Sequence, residues 1–235
     1  MIASALRAVQ RRLVQGRYFS INGLDRKLEK YVDYDGGYFV ELGANDGVRQ
    51  SNSLYFERYR GWKGVLVEPV PHNFIACCRN RSPQNSIFCA ACVSFGYSDE
   101  FVRIAYSNLM SAPMTLDSDI PNPKGHAQIG QQFLGKGETV IEFGAVARTL
   151  NSLLVEAEAP AIIDFLSLDV EGAELEVLKG VDHRAFRFKY LLVECRDLPR
   201  LSAYLEQQGY RFVEALSSQD YLFVDDGNDG LEEGP

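Results

Sequence analysis

The sequence is short of metal-ligand clusters, disulfide spacings and long apolar runs. Its three histidines, His72, His126 and His183, stand far apart and match no ligand spacing. His183 reads as a surface residue and His72 as part of a helix start. Five cysteines are an odd number with no framework spacing, the pattern of a reducing, cytoplasmic setting. Cys89-Ala-Ala-Cys92 is formally C-x-x-C. It sits inside the apolar run from Ile87 to Val93, with no second pair at zinc spacing, so it reads as buried strand. No stretch approaches the roughly 18 apolar residues of a membrane span. The N-terminus lacks the apolar region of a signal peptide. Positive charge is scarce too: 24 Lys and Arg stand against 32 Asp and Glu, a net charge of −8. Five of those negative charges fall in the tail, at Asp225, Asp226, Asp229, Glu232 and Glu233, and leave −3 for the rest. That balance argues against nucleic acid as a partner and leaves a neutral sugar or small alcohol open.

What is present is organised around one stretch, Tyr38 to Gly47. An apolar, β-branched and aromatic run ends abruptly in a loop with two glycines, and a helical pattern follows from Ser51. Strand, glycine loop and helix build a ligand site at the carboxyl end of a sheet's first strand. The loop reads Glu41-x-Gly43-x-x-x-Gly47, without the third glycine that brings a pyrophosphate onto a helix N-terminus. That gap speaks against a nicotinamide-dependent oxidoreductase. A carboxylate ahead of the first glycine suits a cation instead. S-adenosylmethionine carries an ammonium, a sulfonium and no phosphate. The next strand candidate, Gly64 to Glu68, ends in an acid placed to accept from ribose hydroxyls on the neighbouring strand.

At 235 residues the chain suits one large α/β domain. Apolar positions Ile2, Leu6, Val9 and Leu13, interleaved with arginines, read as a helical cover within residues 1–36. Residues 37–224 alternate strands and helices. Strands are expected at Ser86–Cys92, Phe101–Tyr106, Thr139–Ala147, Ile162–Leu168, Tyr190–Val193, Tyr210–Ala215 and Tyr221–Val224. Helices are expected from Leu24, Ser51, His72, Thr149, Glu174 and Leu198. The alternation implies a doubly wound sheet. Only Leu216 to Asp220 join the last two strands, too few residues for a crossover, so the last strand should be antiparallel. Residues 107–138 are punctuated by proline and glycine, offer no core face, and read as a substrate lid or insertion. Residues 225–235 read as a disordered acidic tail.

Three segments carry a family resemblance. They are Phe39-Val-Glu-Leu-Gly-Ala-Asn-Asp-Gly-Val48 with Ser51-Asn52 behind it, Gly61-Trp-Lys-Gly-Val-Leu-Val-Glu-Pro69 with Pro71 and Phe74, and Asp164-Phe-Leu-Ser-Leu-Asp-Val-Glu-Gly-Ala-Glu-Leu-Glu-Val-Leu-Lys-Gly180. Together they resemble the FkbM-type family of S-adenosylmethionine-dependent O-methyltransferases. The resemblance implies a Rossmann-like class I methyltransferase fold, a seven-stranded, mostly parallel sheet with an antiparallel last strand. It implies methyl transfer to a hydroxyl of a sugar, glycan or secondary metabolite.

Carried onto this chain, it implies that Glu41, Gly43, Asn45 and Asp46 form the floor under methionine. Ser51 and Asn52 would reach the methionine carboxylate. Glu68 and Pro69 would flank the ribose, and Cys92 and Ser94 would lie near adenine, where the family's usual acid is displaced towards Asp99. Asp169, Glu171 and Glu194 end two strands on the ligand rim. With His126 they are the candidate acids and bases, and Asp169 also touches the cofactor. Catechol-type methyltransferases hold magnesium with acids at these two strand ends. Asp169 and Glu194 are in register for that, although Glu194-Cys-Arg-Asp197 lacks the acid-amide step. A non-catalytic S-adenosylmethionine-binding protein and a homo-oligomer stay open.

Overall fold

The computed structural model describes residues 18–227. The helix expected over residues 1–17 and the tail from residue 228 lie outside the described residues. In chain order the strands are β1 (Tyr38–Leu42), β2 (Lys63–Val67), β3 (Ser86–Phe88), β4 (Ala91–Cys92), β5 (Phe101–Tyr106) and β6 (Ala112–Pro113). They continue as β7 (Ile141–Arg148), β8 (Ile162–Leu168), β9 (Arg187–Glu194), β10 (Tyr210–Ala215) and β11 (Asp220–Asp225). The helices are α1 (Leu24–Leu28), α2 (Leu54–Arg60), α3 (Pro71–Asn80), α4 (Pro123–Ile129), α5 (Leu150–Glu156), α6 (Glu174–Leu178) and α7 (Leu198–Gln207).

Seven strands form one sheet in the order β10-β11-β9-β8-β1-β2-β3. The pairs β1–β2, β2–β3, β1–β8 and β8–β9 are parallel. β11 is antiparallel to both β9 and β10, as the short last connection requires. The chain leaves β1 towards β2 and β3, then returns to β8 on the other side of β1. The order therefore reverses at β1, and a crevice opens where the carboxyl ends of β1 and β8 diverge.

Alternation along the strands sends side chains to opposite faces. Val40, Leu42, Val65, Leu166 and Leu191 pack on one face with Leu153, Leu154 and Val177. Phe39, Leu66, Phe165 and Leu192 pack on the other with Leu24, Leu28, Phe56 and Trp62. α1 thus covers the second face, and Lys27 and Tyr31 bond Leu216 and Glu214 of the β10–β11 hairpin.

Several expectations need correction. The strand expected over Ser86–Cys92 is broken at Cys89 and Ala90. β3 pairs with β2 in the main sheet, whereas β4 pairs with β7 in a second sheet of order β4-β7-β5-β6. The apolar run is continuous because the half-buried β3 closes the edge of the main sheet and the buried β4 opens the second one. Residues 107–138 are ordered and do have a core side. They hold β6, α4 and two 3-10 turns, with Ala112, Ile120 and Ala127 buried. Small and isolated apolar residues carry that packing, so no periodicity shows it. His183 is buried rather than on the surface, against Leu178 O at 3.1 Å and the Tyr210 hydroxyl, and burial pushes its pKa down to about 4. Asp225 belongs to β11 and pairs with Arg187, so the tail starts later than expected. No helix among the described residues is long and apolar enough to cross a membrane.

Gly64 shows how tightly the central strands meet. It faces Phe39 in register, and an added Cβ would lie 1.9 Å from the Phe39 carbonyl oxygen. Gly64→Ala should therefore force β1 and β2 apart and cost at least about 1–3 kcal/mol, the range for overpacking. Gly96→Ala, where a Cβ meets nothing within 4 Å, should stay within about 1 kcal/mol of the parent. Urea unfolding midpoints check this; equal midpoints for the two variants would contradict the packing described.

Candidate functional site

The crevice at the β1–β8 switch is a cleft with about 960 Å³ of atom-free space, its open mouth included. Its floor comes from the loop after β1, and one side from the ends of β2 and β4. The other side comes from the loop after β8. Asn108, Leu109, Ser111, Pro113 and Leu116 close it from the 107–138 segment.

Gly43 lies where β1 and β8 come closest. Its φ is +77°, and a Cβ there would sit 1.9 Å from the Asp169 carbonyl oxygen. Only glycine satisfies both conditions. Asn45 follows at φ +46°, held by its N–H donating to Glu68 Oε2 at 2.8 Å. The other Glu68 oxygen accepts from Val70 N at 2.9 Å. Burial pushes the Glu68 carboxyl up to about 7, against the opposing effect of these two backbone donors.

Glu41 is committed inside the fold. Its carboxylate accepts from Asn52 N at 2.7 Å, Ser51 Oγ at 2.9 Å and Ser53 Oγ at 2.6 Å. It is also paired with Arg81 Nη1 at 3.1 Å. Arg81 has no exposed side-chain surface and binds Glu57 as well. Ser51 Oγ accepts from Ser53 N and Leu54 N in the turn that leads into α2, while its proton goes to Glu41. Asn52 Nδ2 donates to Ser167 Oγ at 3.0 Å, and its Oδ1 is buried with no partner. Ser51 has thus spent its hydroxyl proton on Glu41, whereas Asn52 keeps one amide proton beyond its bond to Ser167.

Pro69, Cys92, Asp169 and Glu171 also line the cleft, with Glu41, Gly43, Asn45, Ser51, Asn52 and Glu68. Four expected residues are not in its lining. Asp46 turns away to accept from Val48 N and Arg49 N. Ser94 is replaced on the wall by Ala90 and Ala91, because the chain has already left the cleft at Val93. Glu194 and His126 stand behind the wall: Glu194 adjoins Asp169, and His126 Nε2 lies 2.7 Å from Glu171 Oε2.

The rim therefore concentrates acid. Burial raises Asp169 well above the usual carboxylate range, and the neighbouring Glu194, Glu171 and Glu174 add to it. Burial also raises Glu194. Arg196 offsets part of this charge, 3.5 Å from Glu171 and 3.7 Å from Glu194. Glu171 sits at φ +56°, a costly backbone for a non-glycine residue. Glu174 was missed in the sequence, where it reads only as a helix-start acid. It is buried, and its Oε1 accepts from Val170 N at 3.0 Å and Gly172 N at 3.1 Å, shaping the loop that presents Glu171. Among the described residues, no group of three or more His, Cys, Asp or Glu side chains is placed to hold a metal ion. Asp169 and Glu194 stand together without a third such ligand, so the magnesium expected there gains no support.

The family profile described as "Methyltransferase FkbM domain" matches residues 41–212. A curated relative, "Methyltransferase sdnD" of Sordaria araneosa, is 27% identical over 192 residues, 74% of this chain and 73% of that protein. Among solved structures, the METTL16 methyltransferase domain superposes with a TM-score of 0.48 at 13% identity, over 94% of this chain and 80% of that one. TrmK of M. capricolum in complex with S-adenosyl-homocysteine gives 0.39 at 11% identity, over 88% and 71%.

Burial pushes the Glu174 carboxyl up to about 8. A raised acid favours the folded state when protonated. Its contribution is full below the unfolded pKa, near 4.5, and is lost as pH rises through about 8. Glu174→Gln, which keeps an acceptor without the charge, should gain thermal stability relative to the parent as pH goes from 5 to 8.5. Melting temperatures across that range check it; a pH-independent difference would mean that Glu174 is ionised in the fold.

Proposed function

Since the chain belongs to the methyltransferase FkbM domain family, we propose that its cleft binds S-adenosylmethionine and transfers the methyl group to a hydroxyl of a small-molecule, sugar or glycan acceptor. The observation that carries this is the cleft at the β1–β8 switch, with Glu68 ending β2 and a polar, glycine-shaped loop ending β1. The residues fit the cofactor. Asn52 Oδ1 is a buried acceptor with no partner in a cleft-lining residue, and an ammonium would supply its missing donor. Glu68 keeps lone pairs for ribose hydroxyls beyond its two backbone bonds. Ala90, Ala91 and Cys92 offer a small apolar wall for a flat base.

When bound, the cofactor supplies an electrophilic methyl group on a sulfonium. The chain's own task is to align the acceptor oxygen and take its proton. Glu171 is the group for that proton. It lines the cleft, and His126 lies 2.7 Å from its carboxylate and can share the proton. Asp169 is the weaker candidate, because burial and Glu194 favour its neutral form. It serves instead as a polar wall beside the reacting groups. Residues 107–138 form the acceptor-side lid and bring His126 to the rim. The acid-rich rim favours an uncharged acceptor over a polyanion.

Glu171→Gln should lower kcat by roughly 10²–10⁴-fold, the usual worth of general base catalysis, with cofactor affinity unchanged. Asp169→Asn should cost less. A reversed order would make Asp169 the base. Separately, Glu68→Ala should weaken S-adenosylmethionine binding by about 1.5–3 kcal/mol in calorimetry; unchanged affinity would remove Glu68 from the site.

A further inference from the structure

The cleft carries one basic side chain among its described lining residues, Arg49, against Glu41, Glu68, Asp169 and Glu171. The arginines beneath and beside it are already paired. Arg81 binds Glu41 and Glu57, Arg60 binds Glu29 and Asp33, and Arg196 faces Glu171 and Glu194. Arg49 makes no ion pair with a described residue. Its guanidinium rests over the ring of Phe133, 6.0 Å from the centroid. Its position is held from the backbone side, where Arg49 N donates to Asp46 Oδ1 at 2.7 Å and Gln50 follows at φ +62°. An exposed cation thus sits in a fixed turn, two residues before Ser51 and three before Asn52.

The cofactor's amino-acid end needs a donor for its carboxylate. The Ser51 hydroxyl gives its proton to Glu41 and Asn52 gives one of its two amide protons to Ser167, so the loop offers one neutral donor and no charged one at that end. Glu41 carries no net charge towards the cleft, since Arg81 neutralises it from below. We propose that Arg49 clamps the methionine carboxylate of S-adenosylmethionine. Phe133, on the segment that lines the acceptor side, then ties that clamp to the lid. This rests on the cofactor reading above. A guanidinium fork suits a carboxylate bidentately, and the aromatic face fixes its plane at little cost in hydrogen-bonding capacity.

The test uses the full chain and two probes, S-adenosylmethionine and its decarboxylated analogue, which differ only in the carboxylate. In calorimetry the parent should bind the first roughly 10- to 100-fold more tightly, the worth of hydrogen bonds to a charged group. Arg49→Met should reduce that ratio to about threefold or less while leaving affinity for the analogue unchanged, and Arg49→Lys should restore part of it. Arg49 is exposed, so melting temperature should not move and a folding defect is separable. A parent that binds both probes equally would overturn the clamp and leave the cofactor reading standing. So would an Arg49→Met variant that keeps the parent's ratio. A parent that binds neither probe would overturn the cofactor reading and the clamp with it.

Discussion

The site depends on the buried pairing of Glu41 with Arg81. Glu41 leaves the end of β1 pointing into the protein, and Arg81 arrives from the end of α3 with no exposed side-chain surface. Around them, the backbone of Asn52, the hydroxyls of Ser51 and Ser53, and Glu57 complete the hydrogen bonds. Burying two charges is unfavourable unless the remaining donors and acceptors are satisfied, and removing one partner of such a pair typically costs about 3–5 kcal/mol. Here the satisfied network ties the first strand, the turn that carries Arg49, the start of α2 and the end of α3 into one unit. The glycine loop has its shape because its underside is fixed.

On the opposite side of the cleft the organising constraint is crowding of carboxyl groups. Asp169, Glu171, Glu174 and Glu194 share a small, mostly buried volume, with Arg196 as a partial counterweight. Like charges at close range cannot all ionise, so burial decides which group stays neutral. The more buried Asp169 and Glu174 are pushed upward, whereas Glu171 stands at the cleft wall with His126 beside it.

The 107–138 segment makes the same point in packing. Its prolines and glycines suggest a loop, yet Asp119 accepts from the backbone N–H of Arg196 at 2.6 Å and donates its own N–H to Gly172 O at 3.0 Å. With His126 on Glu171, these bonds dock the segment onto the rim beyond β8 and β9. One side of the cleft is thereby built from a part of the chain remote in sequence from the glycine loop.

The sequence by itself determined the alternation of strands and helices, the doubly wound sheet and the glycine loop at the end of its first strand. Strand and helix periods, and glycines beside acids at strand ends, are local signals that survive without any partner. For that reason Gly43, Asn45, Glu68, Asp169 and Glu171 could be placed at strand ends, where they line the cleft, and the antiparallel last strand followed from a short connection. Only the tertiary structure decided which polar atoms face inward. Ser51 and Glu41 satisfy each other, Asp46 turns to its own backbone, Glu174 is buried beneath the loop, His183 is enclosed, and the Ser86–Cys92 run splits between two sheets. Some of these pairings are local, such as Asp46 with Val48 N and Glu174 with Gly172 N, and others join distant segments, such as Glu41 with Arg81 and Ala91 with Ala147. Local pattern names the donors and acceptors; which of them remain free for a ligand is settled only when distant segments have claimed the rest.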